Sequence, residues 1–164
     1  METEIAIIGA GPTGLIAARE AASRGAQVTV LEEHEQVGLP VECAGLLSLR
    51  GLRLIGLEPS GPYVLNDRLR GARFVSPSGH ELLVEARGPV ACVVDRHLLD
   101  LALAEQAEQA GAEVRLRRRV TGIRVEAGGV TLSGRWGSLK AEAAIVAQGF
   151  RSGLVRRLGL RTID

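Results

Sequence analysis

The chain has 164 residues, with 20 lysine and arginine residues against 19 aspartate and glutamate residues and a formal net charge of +1. This balance gives no electrostatic reason to expect nucleic acid as a partner. The apolar fraction of 46% suits one domain with a buried core, or part of a larger protein. Apolar runs are too short to cross a bilayer, and Glu2 and Glu4 replace the basic residues of a signal region, so we expect a cytoplasmic protein.

The first elements in the chain form a nucleotide-binding pattern. An apolar strand over residues 5–8 leads into Gly-Ala-Gly-Pro-Thr-Gly at positions 9–14, and a helix-forming segment that Gly25 ends comes next. A second strand over 28–31 then ends at Glu32. The alternative, a glycine-rich turn that only packs a helix, does not require strand, loop, helix, strand and acid in this order.

Each glycine in this loop has a separate physical role. Gly9 permits a tight turn out of the strand, Gly11 leaves room for a pyrophosphate, and Gly14 permits the helix to pack closely on the strand. Pro12 suits the first helical turn, and the helix N-terminus offers N–H groups to phosphates. Glu32 lies where an acid accepts hydrogen bonds from a ribose 2′-OH, and its charge disfavours the 2′-phosphate of NADP.

The next segment combines loops with short strands. Residues 33–62 predict a long loop with a short helix over about 46–54. Alternation over 71–75 and 81–85, around a Ser-Pro-Ser-Gly turn at 76–79, predicts a hairpin. This hairpin is either a scaffold sheet or one wall of a substrate pocket, and the residues do not decide between them.

The last third of the chain returns to the first sheet. Asp95 is predicted to cap a helix over 96–110, and residues 113–116 predict a strand that extends the first sheet. Residues 120–126, 130–133 and 139–147 predict a three-stranded meander. The predicted fold is therefore α/β: a Rossmann-like three-layer FAD/NAD(P)-binding domain with a small inserted β-region and a β-meander.

Three segments carry a family resemblance. Residues 31–46, which include Gly-Leu-Pro-Val-Glu-Cys-Ala-Gly at 38–45, resemble the geranylgeranyl reductase family of FAD-dependent oxidoreductases. These enzymes are relatives of the p-hydroxybenzoate hydroxylase-type flavoproteins. Val-Asp-Arg at 94–96 and the segment 147–160 look like the second and third landmarks of the same family.

The resemblance implies FAD as the cofactor and assigns contacts to it. Thr13 and Gly14 would lie under the pyrophosphate, with Gly9 and Gly11 shaping the loop, and Glu32 would bind the adenosine ribose. Cys43, Ala44 and Leu46 would lie along the cofactor near the flavin, Arg96 would contact it from the start of its helix, and the backbone at Val120 would lie near the adenine. Cys43 is thereby expected near the flavin, and whether it takes part in catalysis stays open.

The function implied by the resemblance is hydride transfer from reduced flavin to isolated prenyl double bonds of isoprenoid lipids, with peripheral membrane contact. The chain departs from the family at Gln148, where an acidic or small polar residue is usual, and it ends at Asp164, before the family's Gly-Asp-Ala segment. We therefore expect 1–164 to be the N-terminal part of an FAD-binding domain, with inserted substrate-domain strands over about 64–94. The chain is then a truncated reading frame, one half of a split enzyme that a second polypeptide would complete, or a degenerate relative, and the residues do not decide among these.

Two other functions stay open at this point. One is a non-catalytic dinucleotide-binding or interaction module that uses only the adenine nucleotide half of the site. The other is a plain NAD-dependent dehydrogenase, which leaves the hairpin and the meander unexplained and for which no catalytic acid–base set is visible.

Several residues also have ordinary structural interpretations. Cys43 is otherwise a small packed thiol, and Arg96 otherwise pairs with Asp100. Each histidine is expected to be solvated or packed; these are His34, His80 and His97. The arginines at 117–119 are expected at a solvated strand end or against anionic lipid headgroups, and the spacing of the two cysteines does not suit a zinc site.

Overall fold

The computed structural model describes residues 2–149 and 153–159. In chain order the elements are β1 (Glu2–Ile8), α1 (Pro12–Ala22), β2 (Val28–Leu31), β3 (Leu46–Ser48), α2 (Leu49–Leu54), β4 (Val64–Leu69), β5 (Gly71–Val75), β6 (Glu81–Glu85), β7 (Ala91–Val94), α3 (Arg96–Gln109), β8 (Glu113–Arg115), β9 (Gly122–Glu126), β10 (Gly129–Gly134), β11 (Gly137–Val146) and α4 (Gly153–Arg157). They divide into two compact units, one formed by Met1–Leu39 with Asp100–Asp164 and the other by Pro40–Leu99.

The first unit is built on a six-stranded sheet with the strand order β8-β2-β1-β11-β10-β9. The four strands β8, β2, β1 and β11 pair in parallel, whereas β10 and β9 add antiparallel neighbours. The predicted strand over 113–116 does extend the first sheet, and the last predicted strand does return to its centre beside β1. This parallel sheet with its crossover helix confirms the predicted Rossmann-like class.

The second half of β1 is buried on both faces, which explains why residues 5–8 are all apolar. On the helix α1, the inward positions are Gly14, Leu15, Ala18 and Ala22, three of them small enough for the helix to lie close to the sheet. A second cluster of buried side chains packs Ala6 and Ile8 against the meander strands. Its members are Ala6, Ile8, Leu31, Val120, Val130, Leu132, Leu139, Ala141 and Leu154. Burial of each large member stabilises the fold by roughly 1.5–3 kcal/mol.

Element ends in the first unit differ slightly from the sequence prediction. Helix α1 ends at Ala22, and Gly25 lies in the following turn with φ +90°, where its N–H donates to the Ala22 carbonyl. The meander begins at Gly122 and not at residue 120, because the Val120 side chain is buried in the core before the chain joins the sheet edge. In the described residues, no helix has both the length and the apolar character to cross a membrane.

The second unit contains a three-stranded sheet, β3-β7-β4, and a two-stranded ribbon, β5-β6. The ribbon confirms the predicted hairpin, with Phe74 opposite Leu82. The predicted helix over 46–54 is wrong in its first three residues, since Leu46–Ser48 pair with β7 and only Leu49–Leu54 are helical. Strand pairing thus outweighs the local helical pattern, and the Ser48 hydroxyl caps α2 by accepting from the Gly51 N–H.

Helix α3 begins as the sequence predicts. The Asp95 carboxylate accepts a hydrogen bond of 3.1 Å from the Leu98 N–H, which is the contact of an N-cap residue. The helix ends at Gln109, and Gly111 follows with φ +102°. The boundary between the two units falls within this helix.

A glycine-to-alanine pair tests how closely α1 approaches the end of β1. A Cβ at Gly14 would lie 2.0 Å from the Gly9 carbonyl oxygen, so Gly14→Ala forces the backbone apart and should lower the free energy of unfolding by about 1–3 kcal/mol. Urea unfolding followed by circular dichroism measures this change. Gly11→Ala is the matched control, because a Cβ there has no neighbour within 4 Å. Equal stability of the two variants would contradict the close approach.

Candidate functional site

The glycine loop lies at the carboxyl ends of three neighbouring strands. The Gly9 N–H donates to the Leu31 carbonyl at 2.9 Å, and the Ala147 N–H donates to the Ile8 carbonyl at 2.9 Å. Gly9 has φ +104°, and a Cβ there would lie 2.6 Å from the Ala147 carbonyl oxygen. Only glycine fits a position that combines this backbone conformation with this approach. The loop is therefore held at the edge of a parallel sheet where dinucleotides bind.

The N-terminus of α1 is shaped to receive an anion. Gly11 is the N-cap residue, no side chain caps it, and the first intrahelical bond runs from the Leu15 N–H to the Gly11 carbonyl. The N–H groups of Thr13 and Gly14 are in the first turn and have no intrahelical acceptor. Because a Cβ on Gly11 would meet open space, a pyrophosphate has room to approach this backbone. The residues present fit a dinucleotide at this point.

Glu32 is joined directly to the glycine loop. This residue is 8% exposed, and its Oε2 accepts a hydrogen bond of 2.7 Å from the Ala10 N–H. Its Oε1 accepts 2.9 Å from the His34 N–H and 2.6 Å from His34 Nδ1. A carboxylate has about four acceptor positions, so Oε2 retains the capacity to accept a further hydrogen bond. The predicted ribose-binding acid and the predicted phosphate loop thus form one constellation in the first unit.

The arginines at 117–119 follow β8, and their backbone is hydrogen-bonded to the chain that follows β2. The Arg118 N–H donates to the Glu32 carbonyl at 2.6 Å and the Arg117 N–H to the His34 carbonyl at 2.9 Å. Two of the three guanidinium groups form ion pairs, Arg117 with Glu35 at 3.1 Å and Arg119 with Glu33 at 3.2 Å. These side chains are mostly exposed, so each pair contributes no more than about 1 kcal/mol. The segment is therefore a paired strand end, not an open basic cluster.

Val120 lies near the same edge of the sheet. Its side chain is 6% exposed and packs in one cluster with Ile8 and Leu31, the last residues of β1 and β2. The structure therefore brings Val120 toward Glu32 and the glycine loop within the first unit. The predicted contact of its backbone with an adenine stays a prediction.

The other predicted site residues belong to the second unit and lie close to one another there. The Val94 N–H donates to the Gly45 carbonyl at 2.9 Å, and Leu46 is opposite Val93 across the strand pair. Gly45 has φ +73°, and a Cβ there would lie 2.2 Å from the Val94 carbonyl oxygen. This contact joins the ends of two sequence segments, so the structure brings Cys43, Ala44 and Leu46 to the same end of the sheet as Arg96.

The two cysteines have different environments. Cys43 is exposed, and its sulfur accepts from the Gly45 N–H at 3.5 Å. Cys92 is buried, and burial raises the pKa of its thiol. Since the thiolate is the reactive form, Cys43 is the better candidate for chemistry. Within the described residues, no three His, Cys, Asp or Glu side chains group together as a metal site would require.

Gln148 is the most unusual polar residue beside the loop. Its Oε1 is buried, and it has no hydrogen-bond partner among the described residues. Its Cα lies 3.6 Å from the position of a Cβ on Gly9, so the residue borders the phosphate loop. A buried acceptor without a partner is costly in a folded protein and is typical of sites that receive a ligand.

The contact of His34 with Glu32 is the feature that sequence analysis missed. The sequence interpretation expected this histidine to be solvated or packed and gave it no partner, whereas the Glu32 carboxylate contacts both its ring and its backbone. The sequence offered only the spacing of two residues between the acid and the histidine, and strand alternation does not apply there because residues 33–36 form a bend.

These features define a class: a dinucleotide-binding α/β protein of the flavoprotein type. The FAD binding domain family matches residues 2–164, and the chain belongs to that family. The expectation that FAD is the cofactor is thereby confirmed.

Curated relatives include prenyl-lipid reductases. The digeranylgeranylglycerophospholipid reductase of Methanosarcina acetivorans is 35% identical over 97% of this chain and 40% of its own length. Digeranylgeranylglycerophospholipid reductase 1 of Methanothermobacter thermautotrophicus is 32% identical over 98% of this chain and 42% of its own length. The chain thus spans about 40% of the curated relatives it matches.

Solved structures show the same fold. A geranylgeranyl bacteriochlorophyll reductase-like protein from Thermoplasma acidophilum aligns with a TM-score of 0.86 at 28% identity, over 99% of this chain and 43% of that one. The p-nitrophenol 4-monooxygenase of Pseudomonas putida aligns with a TM-score of 0.80 at 22% identity, over 99% of this chain and 45% of that one. The second likeness shows the fold alone.

Replacement of Gln148 tests its unpaired acceptor. Gln148→Met keeps the size of the side chain and removes the buried oxygen, so the free energy of unfolding of the ligand-free chain should rise by about 1 kcal/mol or more. Urea unfolding without added nucleotide measures the difference. Gln36→Met, at an exposed position, is the control and should change stability by no more than about 0.5 kcal/mol. A loss of stability in Gln148→Met would show that the native amide is well paired.

Proposed function

We propose that this chain is the FAD-binding part of a geranylgeranyl-reductase-type oxidoreductase that reduces prenyl double bonds of isoprenoid lipids. The observation that carries the proposal is the 35% identity, over almost the whole chain, to a reductase named for a digeranylgeranyl lipid. The cradle, formed by the glycine loop at 9–14 and Glu32, supports the proposal independently. The open space beside Gly11 and the buried acid at Glu32 both suit a dinucleotide.

In the adenosine half of the site, the chain's own groups bind and orient. The N–H groups of Thr13 and Gly14 donate to the pyrophosphate, with the positive end of the α1 dipole behind them. Glu32 accepts from a ribose hydroxyl through Oε2, which already accepts from the Ala10 N–H. The backbone at Val120 contacts the adenine end.

In the flavin half, the residues at the shared end of β3 and β7 line the cofactor. Cys43, Ala44 and Leu46 would lie along the flavin, and Arg96 would contact the cofactor from the first turn of α3. Gly45 positions this segment, since its close approach to the Val94 carbonyl leaves no room for a side chain. Cys43 is the candidate for flavin-proximal chemistry because its thiol is exposed.

FAD held by these residues, once reduced by an external two-electron donor, would supply the hydride for one carbon of the prenyl double bond, and the other carbon would take a proton from solvent. The remaining wall of the flavin and acceptor site would come from sequence that corresponds to the rest of the relatives' length. The protein acts in the cytoplasm and touches the membrane surface only where the lipid acceptor enters.

A second candidate function is a non-catalytic dinucleotide-binding or interaction module. The observation that favours it is that the glycine loop, Glu32 and Val120 all lie in the first unit, so the adenosine half of the site does not need the second. The two functions differ in whether the flavin end contributes to binding.

The absorbance spectrum of the purified chain, with added FAD and after gel filtration, distinguishes these functions. A flavin band that co-elutes with the protein, together with FAD affinity well above ADP affinity, supports the oxidoreductase. Equal affinities for FAD and ADP support the module. Activity is then measured with a protein that also carries sequence corresponding to the rest of the relatives' length, as the gain of two hydrogen atoms per reduced double bond in a geranylgeranyl lipid.

Gly11→Ala tests the phosphate cradle. A methyl group there fills the space that a pyrophosphate needs, so FAD affinity should fall at least about tenfold, as expected for loss of about 1.4 kcal/mol. Isothermal titration calorimetry measures the dissociation constant, and stability should stay unchanged. Gly88→Ala is the control, because a Cβ there also has no neighbour within 4 Å but the residue lies outside the cradle. Unchanged FAD affinity in Gly11→Ala would place the pyrophosphate elsewhere.

A further inference from the structure

We propose that His34 is a positioning residue that fixes the Glu32 carboxylate for a ribose hydroxyl, and so makes nucleotide affinity depend on that hydroxyl. The inference rests on the proposed function, because it concerns the adenosine half of the same site. It assigns a role to a side chain that the sequence interpretation left as solvated or packed.

The hydrogen bonds from the described residues leave one acceptor position of the Glu32 carboxylate unoccupied. Oε1 accepts two hydrogen bonds from His34, one from its backbone N–H and one from Nδ1, and these occupy both acceptor positions of that oxygen. Oε2 accepts one hydrogen bond, from the Ala10 N–H of the glycine loop. The remaining acceptor position is therefore on Oε2, the oxygen that is held against the loop.

The ring of His34 must donate to Glu32. An ionised carboxylate only accepts, so the 2.6 Å contact requires a proton on Nδ1. The other ring nitrogen, Nε2, is 3.8 Å from Glu33 Oε1, which is too long for a hydrogen bond. A ring with its proton on Nδ1 therefore satisfies the contact, and its charge state is not needed for the argument.

The burial of Glu32 explains why the ring of His34 also donates to its carboxylate. The Glu32 side chain is only 10% exposed, and a carboxylate in such a position needs donors on both oxygens. The His34 side chain is 40% exposed, so it contributes little to the core. Loss of the ring donor should thus loosen the orientation of the carboxylate while the fold is preserved.

A positioning role and a purely structural role predict different results. If His34 aims Oε2 at a hydroxyl, its loss weakens only ligands that carry that hydroxyl. If His34 merely supports the fold around the loop, its loss weakens all adenine nucleotides alike. In a third case, the His34 ring occupies the place of the ribose and competes with the nucleotide. Removal of the ring would then strengthen nucleotide binding.

The experiment is a cycle of protein and ligand changes on the full chain. Calorimetry gives the dissociation constants of ADP and 2′-deoxy-ADP for the wild type, His34→Ala and His34→Asn. The wild type should prefer ADP by about tenfold, the effect of one hydrogen bond to a charged group. In His34→Ala the ADP affinity should fall severalfold while that of 2′-deoxy-ADP stays the same. His34→Asn, whose amide nitrogen occupies the place of Nδ1, should restore the preference.

Each other outcome overturns the inference. Equal losses for both ligands in His34→Ala show a structural role, and tighter ADP binding shows competition. Equal wild-type affinity for ADP and 2′-deoxy-ADP would show that Glu32 does not bind the 2′-hydroxyl. No binding of either ligand to a folded wild type contradicts the proposed function itself. His34→Leu is a second variant without a donor that keeps the side-chain volume, should the alanine variant fold poorly.

Discussion

The structure of the first unit depends on the close approach of backbone to backbone at the glycine loop. A Cβ on Gly14 would lie 2.0 Å from the Gly9 carbonyl oxygen, and a Cβ on Gly9 would lie 2.6 Å from the Ala147 carbonyl oxygen. Because side chains are absent there, α1 starts directly at the edge of the sheet. The free N–H groups of its first turn, the loop and the ends of β1 and β2 are therefore held in one place.

The buried charge of Glu32 is the second constraint, and it follows from the first. Its carboxylate is accommodated because the loop supplies the Ala10 N–H and the chain beyond β2 supplies two donors from His34. The same hydrogen bonds that stabilise the acid also orient it. The stability of the buried acid and its orientation thus depend on the same three donors, and the glycine loop, Glu32 and His34 all lie within one compact unit.

The second unit also contains a glycine whose backbone closely approaches the backbone of another segment. Gly45 has a positive φ and approaches the Val94 carbonyl, which brings Cys43–Leu46 to the start of α3. Two segments that are about 50 residues apart in the chain thereby share one end of a sheet. The chain belongs to the FAD binding domain family, and it spans about 40% of the length of the curated relatives it matches.

The amino-acid sequence by itself determined the class of fold, the glycine loop, the acid at Glu32 and the hairpin at 71–85, because these depend on local backbone requirements and on hydrophobic periodicity. Tertiary structure decided the rest. Leu46–Ser48 form a strand because β7 is available to pair with them, and Arg117 and Arg119 are paired because β8 brings them to Glu35 and Glu33. Likewise the buried oxygen of Gln148 and the hydrogen bond from the Ala10 N–H to Glu32 arise from contacts between distant segments. Local pattern does not contain such contacts, since they exist only once the strands have assembled.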